Sequence, residues 1–193
     1  MSLRLIAVLA GSYLLGCFIS AYYVTRWRHG VDIRASGSGN AGARNMARVH
    51  GLFDAGLTLF LDATKGAIAV VAGAWLVGPE WAGALALTAA IVGHIWPVQL
   101  SFHGGKGAAT GLGGMLFIDP VACLALLGVG AVAFALTTDF FKSGLIAIGL
   151  AAPMLYVYRH DAATVGVVAL ASFLCLVINH PVLDMPRQPR APA

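Results

Sequence analysis

The sequence predicts an all-α polytopic membrane protein, a seven-helix bundle with one short half-spanning helix, the N-terminus outside and the C-terminus in the cytoplasm. Three observations carry this expectation. Of 193 residues, 59% are hydrophobic and only 10% charged, against roughly 25% charged in a soluble domain. Apolar runs long enough to enter a bilayer recur along the chain. The Lys and Arg residues between those runs fall mostly on alternate connections.

The apolar runs cover residues 3–25, 52–78, 80–101, 105–118, 120–138, 142–158 and 161–179. Helices are the natural form, because backbone groups in lipid must be satisfied within their own segment. The first run is too long for a signal-peptide core and its arginines mainly follow it, at Arg26 and Arg28, so it is read as a retained span. Leu14-Leu15-Gly16-Cys17 has the look of a lipoprotein cleavage box, but a whole polytopic chain follows it. The fourth run, Gly105 to Ile118, reaches only about 20 Å at 1.5 Å per residue, short of a hydrocarbon core of about 30 Å. It is expected to be a half-span that starts inside the protein.

Gly78-Pro79, Asp119-Pro120 and Arg159-His160-Asp161 supply turns at one side. The segment 26–51, the surroundings of Lys106, residues 139–143 and the tail lie on the other. That second side carries Arg26, Arg28, Arg34, Arg44, Arg48, Lys106, Lys142, Arg187 and Arg190, against Arg4 and Arg159 opposite, and is therefore the cytoplasmic one. One membrane-embedded domain over 1–185 is expected, with a disordered Pro/Arg-rich tail over 186–193. The net charge of +4 forms no dense basic tract, which argues against nucleic acid as a partner. Cys17, Cys123 and Cys175 all lie in apolar runs, with spacing that fits neither a zinc site nor a disulfide framework.

The polar connection from Val31 to Arg48 contains a formal G-x-G-x-x-G at Gly37, Gly39 and Gly42, with Asp62 where a dinucleotide-binding acid would sit. That reading fails, since no strand precedes the glycines and Asp62 lies within a membrane helix. Two readings stay open. Small residues let backbone N–H groups approach an anion, with Ser38, Asn40, Asn45, Arg44 and Arg48 as further donors; alternatively, the segment is a solvated basic loop that sets orientation.

The second polar segment runs from Gly93 to Thr110. Gly104, Gly105 and Gly107 flank Lys106 at the start of a helix, where free N–H groups, the positive end of the helix dipole and a mobile ammonium converge on one anion. It is not a Walker A loop, because Gly107 follows the lysine where Ser or Thr is required. The plain alternative is a chain break between spans with Lys106 as a topology charge. No carboxylate or cysteine near His94 or His103 in sequence completes a metal set. Asp62 and Lys65, three apart on one helix face, read as a structural ion pair, with Lys65 near enough to the interface to snorkel. There is no G-x-S-x-G elbow, and no histidine is followed by four residues and then an aspartate, as the common glycerolipid acyltransferases require.

Taken in order, Tyr13-Leu14-Leu15-Gly16, Asp32-Ile33-Arg34, Gly37 to Ala43, Asn45, Arg48, Asp62, Lys65-Gly66, Gly93-His94, Pro97 and Phe102 to Thr110 resemble the bacterial acyl-phosphate:glycerol-3-phosphate acyltransferases, the PlsY-like family. The resemblance covers roughly residues 11–145. It implies a seven-helix enzyme of the bacterial inner membrane, active site toward the cytoplasm. Such an enzyme acylates glycerol 3-phosphate from acyl phosphate without coenzyme A, acyl carrier protein, a metal or another cofactor, and without an obligate protein partner. Lys106, Ser38 and Arg48 match the family's phosphate-binding and catalytic positions. Gly37, Gly39, Asn40, Asn45, His94, Gly104, Gly105 and Gly107 would shape the cradle, and Ser143 matches a further contact. Two departures stand out: Arg44 replaces the usual Thr, and the C-terminal His-Arg-x-Asn motif is reduced to Asn179-His180-Pro181, which leaves His180 as its counterpart. A relative acylating another acceptor, and a non-enzymatic phosphate or lipid carrier that retains the cradle, are the alternative readings.

Overall fold

A computed structural model describes residues 2–179. His180 and the tail over 186–193 lie outside the described residues. Among the described residues all regular structure is helical: α1 (Leu3–Cys17), α2 (Ser20–His29), α3 (Ala43–His50), α4 (Leu52–Val77), α5 (Glu80–Ile95), α6 (Ala108–Ile118), α7 (Pro120–Thr137), α8 (Phe140–Val157) and α9 (Ala162–Asn179). Two short 3-10 turns, Ile33–Ala35 and Val98–Leu100, sit in the connections. Six stretches are long and apolar enough to cross a membrane: Leu3–His29, Leu52–Val77, Glu80–Leu100, α7, α8 and α9. The apolar α6, at 11 residues, is too short for that.

Several boundaries differ from the sequence reading: α8 already begins at Phe140, inside the connection expected over 139–143, and α5 ends at Ile95. The first run is two helices, because Phe18 and Ile19 are extended (ψ 95° and 97°) and break the ladder between α1 and α2. The segment 26–51 is not all connection, since α2 continues to His29 and α3 forms after the glycines. The half-length helix begins at Ala108, with Gly107 at φ +80° as its cap, so Gly105 and Lys106 stay in the loop.

α1, α4, α5 and α6 pack closely because glycines let their backbones touch. A Cβ on Gly66 of α4 would stand 2.0 Å from the Thr110 carbonyl oxygen of α6, and one on Gly113 of α6 would stand 2.0 Å from the Ala63 carbonyl oxygen of α4. The hairpin of α7 and α8 with α9 closes against this group, sharing a core of Ala84, Met115, Ala122, Leu126, Leu155 and Val168.

At one end the turns are tied together. Asp119 caps α7 by accepting from the Val121 and Ala122 N–H groups, with Pro120 at the first helical position, where its missing N–H costs nothing. His160, between α8 and α9, bridges Asp119 (2.9 Å) and Glu80 at the start of α5. Burial pushes the His160 pKa down, but its hydrogen bonds and charge pairing with Asp119 and Glu80 outweigh that, and the net shift is upward. The polar segments that carry chemistry lie at the other end of the helices.

Candidate active site

The first loop is built around two braces. Arg34 grips Asp32 through Nε and Nη2 (3.1 and 2.7 Å), a forked charge-assisted pair, while its Nη1 donates to the carbonyls of Leu100 (3.1 Å) and His103 (3.4 Å). One guanidinium thus ties the first loop to the second. Burial pushes the Asp32 carboxyl up, but hydrogen bonds and charge from Arg34 hold it below the usual carboxylate range. The second brace is Asn45. Buried in the first turn of α3, it accepts from the Ser38 N–H (2.9 Å) through Oδ1 and donates to the carbonyls of Ile33 (3.3 Å) and Ser36 (3.0 Å). Its amide is thus engaged by the loop's own backbone.

Gly37 and Gly39 occupy the left-handed region at φ +59° and +72°. A Cβ on Gly37 would stand 2.2 Å from Asn45 Oδ1, so the turn and its brace require glycine. This curls the loop so that Ser38 is exposed and Asn40 half-buried. Arg44 and Arg48 are exposed on α3, one turn apart and on one face. Met46, on the other side of α3, is buried and takes a contact from the Thr25 hydroxyl of α2 (3.0 Å).

The second loop folds back onto the helix it leaves. The Gly104 N–H donates to the Ile95 carbonyl (3.1 Å) and the Gly105 N–H to the His94 carbonyl (3.0 Å). The reversal places Ser101 and Phe102 at φ +54° and +60°, a strained conformation for residues with a Cβ. A Cβ on Gly105 would stand 2.1 Å from His94 Nε2 and 2.9 Å from the Ala41 carbonyl oxygen, so the absence of a side chain lets the His94 ring and the first loop both approach this glycine.

Lys106, half-buried, extends its ammonium to 5.5 Å from the centre of the Phe141 ring at the start of α8, and the Arg44 guanidinium lies 5.6 Å from the same ring. Asp139, at the N-cap of α8, feels the charge of Arg44 as well. The backbone N–H of Lys142 is the main cause, ahead of Phe141 N–H and those charges, of a carboxyl pKa below the usual range. The start of α3, the second loop and the head of α8, far apart in sequence, therefore meet at one ring. Ser143 lies just behind, buried, donating to the Asp139 carbonyl (2.8 Å) and facing the Thr137 hydroxyl (3.3 Å).

His94 is buried behind the second loop, and Asp62 and Lys65 do form a pair, at 2.9 Å. Lys65 does not snorkel. It is 3% exposed and points inward to the carbonyls of Gly16 (3.2 Å) and Phe18 (2.7 Å) and to His94 Nδ1 (2.7 Å). The carbonyls freed by the α1–α2 break need a donor in lipid, and Lys65 supplies it. Sequence reasoning missed Phe141 as the platform shared by two cations. The only signal available was its place next to Lys142 and Ser143.

An apolar cavity of about 120 Å³ lies between α5, α6, α7, α8 and α9, lined among others by Leu87, Ile91, Ala108, Met115 and Leu126. Ala108 is two residues from Lys106, so the cation cluster and the apolar space adjoin. A cluster of cations beside an apolar space suits a charged amphiphile.

This fold and site define an integral membrane protein with a cationic site beside an apolar space. The structure is similar to the crystal structure of PlsY (YgiH), an integral membrane glycerol 3-phosphate acyltransferase, in its glycerol 3-phosphate form, with a TM-score of 0.85 and 28% identity over 93% of this chain and 89% of that one. The model of the glycerol-3-phosphate acyltransferase family matches residues 6–182, and the chain belongs to that family. Glycerol-3-phosphate acyltransferase 1 of Bacillus cereus (strain ATCC 10987 / NRS 248) is 41% identical over 171 residues, 89% of this chain and 94% of the relative. The protein of the same description from Desulfitobacterium hafniense (strain Y51) is 40% identical over 181 residues, 92% of this chain and 89% of the relative.

Proposed function

We propose that the protein transfers a long-chain acyl group from acyl phosphate to glycerol 3-phosphate, giving 1-acylglycerol 3-phosphate and inorganic phosphate at the cytoplasmic face of a bacterial inner membrane. The observation that carries this reading is the meeting of Arg44 and Lys106 over one Phe141 ring, beside an apolar cavity that starts at Ala108. Lys106, Ser38 and Arg48 bind the phosphates, with Arg44 and Asn40 as further donors. Gly37, Gly39, Gly104, Gly105 and Gly107 keep the backbone close to the anion, and Asn45 holds the first loop in shape. The acyl chain occupies the apolar space between α5 and α9.

The chemistry is positioning and electrostatic stabilisation. The acceptor hydroxyl oxygen attacks the acyl carbonyl carbon, and the bond from that carbon to the phosphate oxygen breaks. The electron pair leaves with phosphate, whose charge the cations stabilise. The hydroxyl proton passes to the acceptor's own phosphate, so no protein base is required. The chain forms one membrane-embedded domain of seven spanning or half-spanning helices, α6 being the half-span, with the N-terminus outside and the C-terminus in the cytoplasm. It works without a cofactor or an obligate protein partner.

The test is purified protein in lipid nanodiscs with palmitoyl phosphate and glycerol 3-phosphate, following phosphate and lipid product together. Equal amounts of both are expected. Phosphate release without acylated product, or substrate uptake into proteoliposomes with neither reaction, would overturn the reading.

A further inference from the structure

We propose that Lys65 is a positioning residue of the phosphate cradle, acting through the ring of His94. Lys65 lies in the middle of α4, far in sequence from both loops, yet its ammonium is the hub of a buried cluster. Nζ is 2.7 Å from the Phe18 carbonyl oxygen, 3.2 Å from that of Gly16, 2.9 Å from Asp62 Oδ1 and 2.7 Å from His94 Nδ1. The Ser20 hydroxyl donates to the same Asp62 oxygen at 2.7 Å. Lys65, Asp62 and His94 are each at most 3% exposed.

The nitrogen–nitrogen contact fixes the chemistry of the ring. An ammonium has three protons and no lone pair, and backbone carbonyls can only accept. Four acceptors surround it, the carbonyls of Phe18 and Gly16, Asp62 Oδ1 and His94 Nδ1, and share its three protons; a nitrogen 2.7 Å from the ammonium can only be accepting. That nitrogen accepts, so His94 is neutral with its own proton on Nε2. Nε2 is the atom that faces Gly105, at 2.1 Å from where a Cβ there would stand. The His94 carbonyl takes the Gly105 N–H at 3.0 Å, and the Ala41 carbonyl oxygen of the first loop lies 2.9 Å from the same Cβ position.

Lys65 thus does two things at once. It holds the break at Phe18 from which α2 leads to the first loop, and it locks the ring against which the Lys106 loop is folded. The relative placement of the two halves of the cradle depends on one buried cation. A change in that placement acts on the transition state, whose charge distribution the cations match, more than on ground-state binding.

The kinetic part of this inference rests on the acyl-transfer reading; the tautomer does not. The experiment uses the full chain in nanodiscs. Nitrogen-15 NMR of histidine-labelled wild-type protein is expected to show His94 neutral with Nε2–H, and a proton on Nδ1 alone or an imidazolium would overturn the proposal whatever the activity. The double variant Asp62→Asn with Lys65→Met leaves no unpaired buried charge. It is expected to fold but melt lower than wild type, because the Gly16 and Phe18 carbonyls lose their donor, to lose the single tautomer, and to drop kcat about tenfold or more while KM changes by less than about threefold. A folded double variant with wild-type kcat would sink the proposal. His94→Gln, which can both accept from Lys65 and donate onward, is expected to retain far more turnover than His94→Leu. Equal losses in the two would count against positioning through the ring. If the wild type releases no phosphate, the acyl-transfer reading fails by itself and the tautomer still decides the role of Lys65.

Discussion

Arg44 and Lys106 lie over one aromatic ring, at 5.6 and 5.5 Å from the centre of Phe141. One cation on α3 and one in the second loop share a ring that is neutral and offers no lone pair to their protons. The negative face of the ring attracts each of them by about 0.5–2 kcal/mol. Removing it in Phe141→Ala is expected to lower kcat/KM by about 3- to 30-fold, while Phe141→Tyr stays near wild type. Rates of phosphate release from palmitoyl phosphate check this, and an alanine variant as fast as wild type would show that the platform is idle.

Lys106→Ala is expected to reduce turnover by about 10²–10³-fold, the range seen when a preorganised charge-stabilising donor is removed. The fall should appear in kcat, since the lysine meets charge that develops on the leaving phosphate. Near-normal turnover in this variant would refute the proposed mechanism.

Gly66→Ala tests the contact that seats α6. The added Cβ would stand 2.0 Å from the Thr110 carbonyl oxygen, and backbone cannot swing aside as a side chain can. Separation of α4 from α6 is expected to cost about 1–3 kcal/mol and to appear as a lower melting midpoint in detergent. Gly56→Ala on the same helix, where nothing lies within 4 Å, is the control and is expected to melt like wild type.

The turns at the other end make stability depend on pH. His160 has a folded-state pKa above its ordinary value of 6.5, so its stabilising effect is fully present below that value and fades as pH rises through the raised one. The melting midpoint of the wild type should therefore fall between pH 6 and 9 relative to that of His160→Gln. Parallel curves for the two proteins would remove the bridge from the account of stability.

The membrane class and most helix limits were legible, because burial in lipid leaves long apolar runs and the breaks at Gly78, Asp119 and His160 are turn chemistry readable from single residues. The two polar loops were legible as residue types at fixed spacing, and those residues matched a family. Three things were not. The break at Phe18 has no glycine or proline to announce it, and it persists because Lys65, 47 residues away, caps the freed carbonyl. The inward turn of Lys65 depended on acceptors in α1 and α5 that spacing within α4 could not show. The shared ring of Phe141 is a tertiary fact, since it joins residues 44, 106 and 141.

The short helix α6 has a consequence for the lipid environment. Its 11 residues rise only about 16 Å, so a cradle at its N-terminus cannot stand level with both headgroup planes of a bilayer about 30 Å thick at the core. With the Asp119–Pro120 turn at one headgroup plane, a helix of this length would leave Lys106 below the opposite plane, in a notch flanked by full-length spans. The depth of that notch is fixed by the protein while the thickness around it is set by the lipids, so the same enzyme should work at different rates in bilayers of short and long acyl chains.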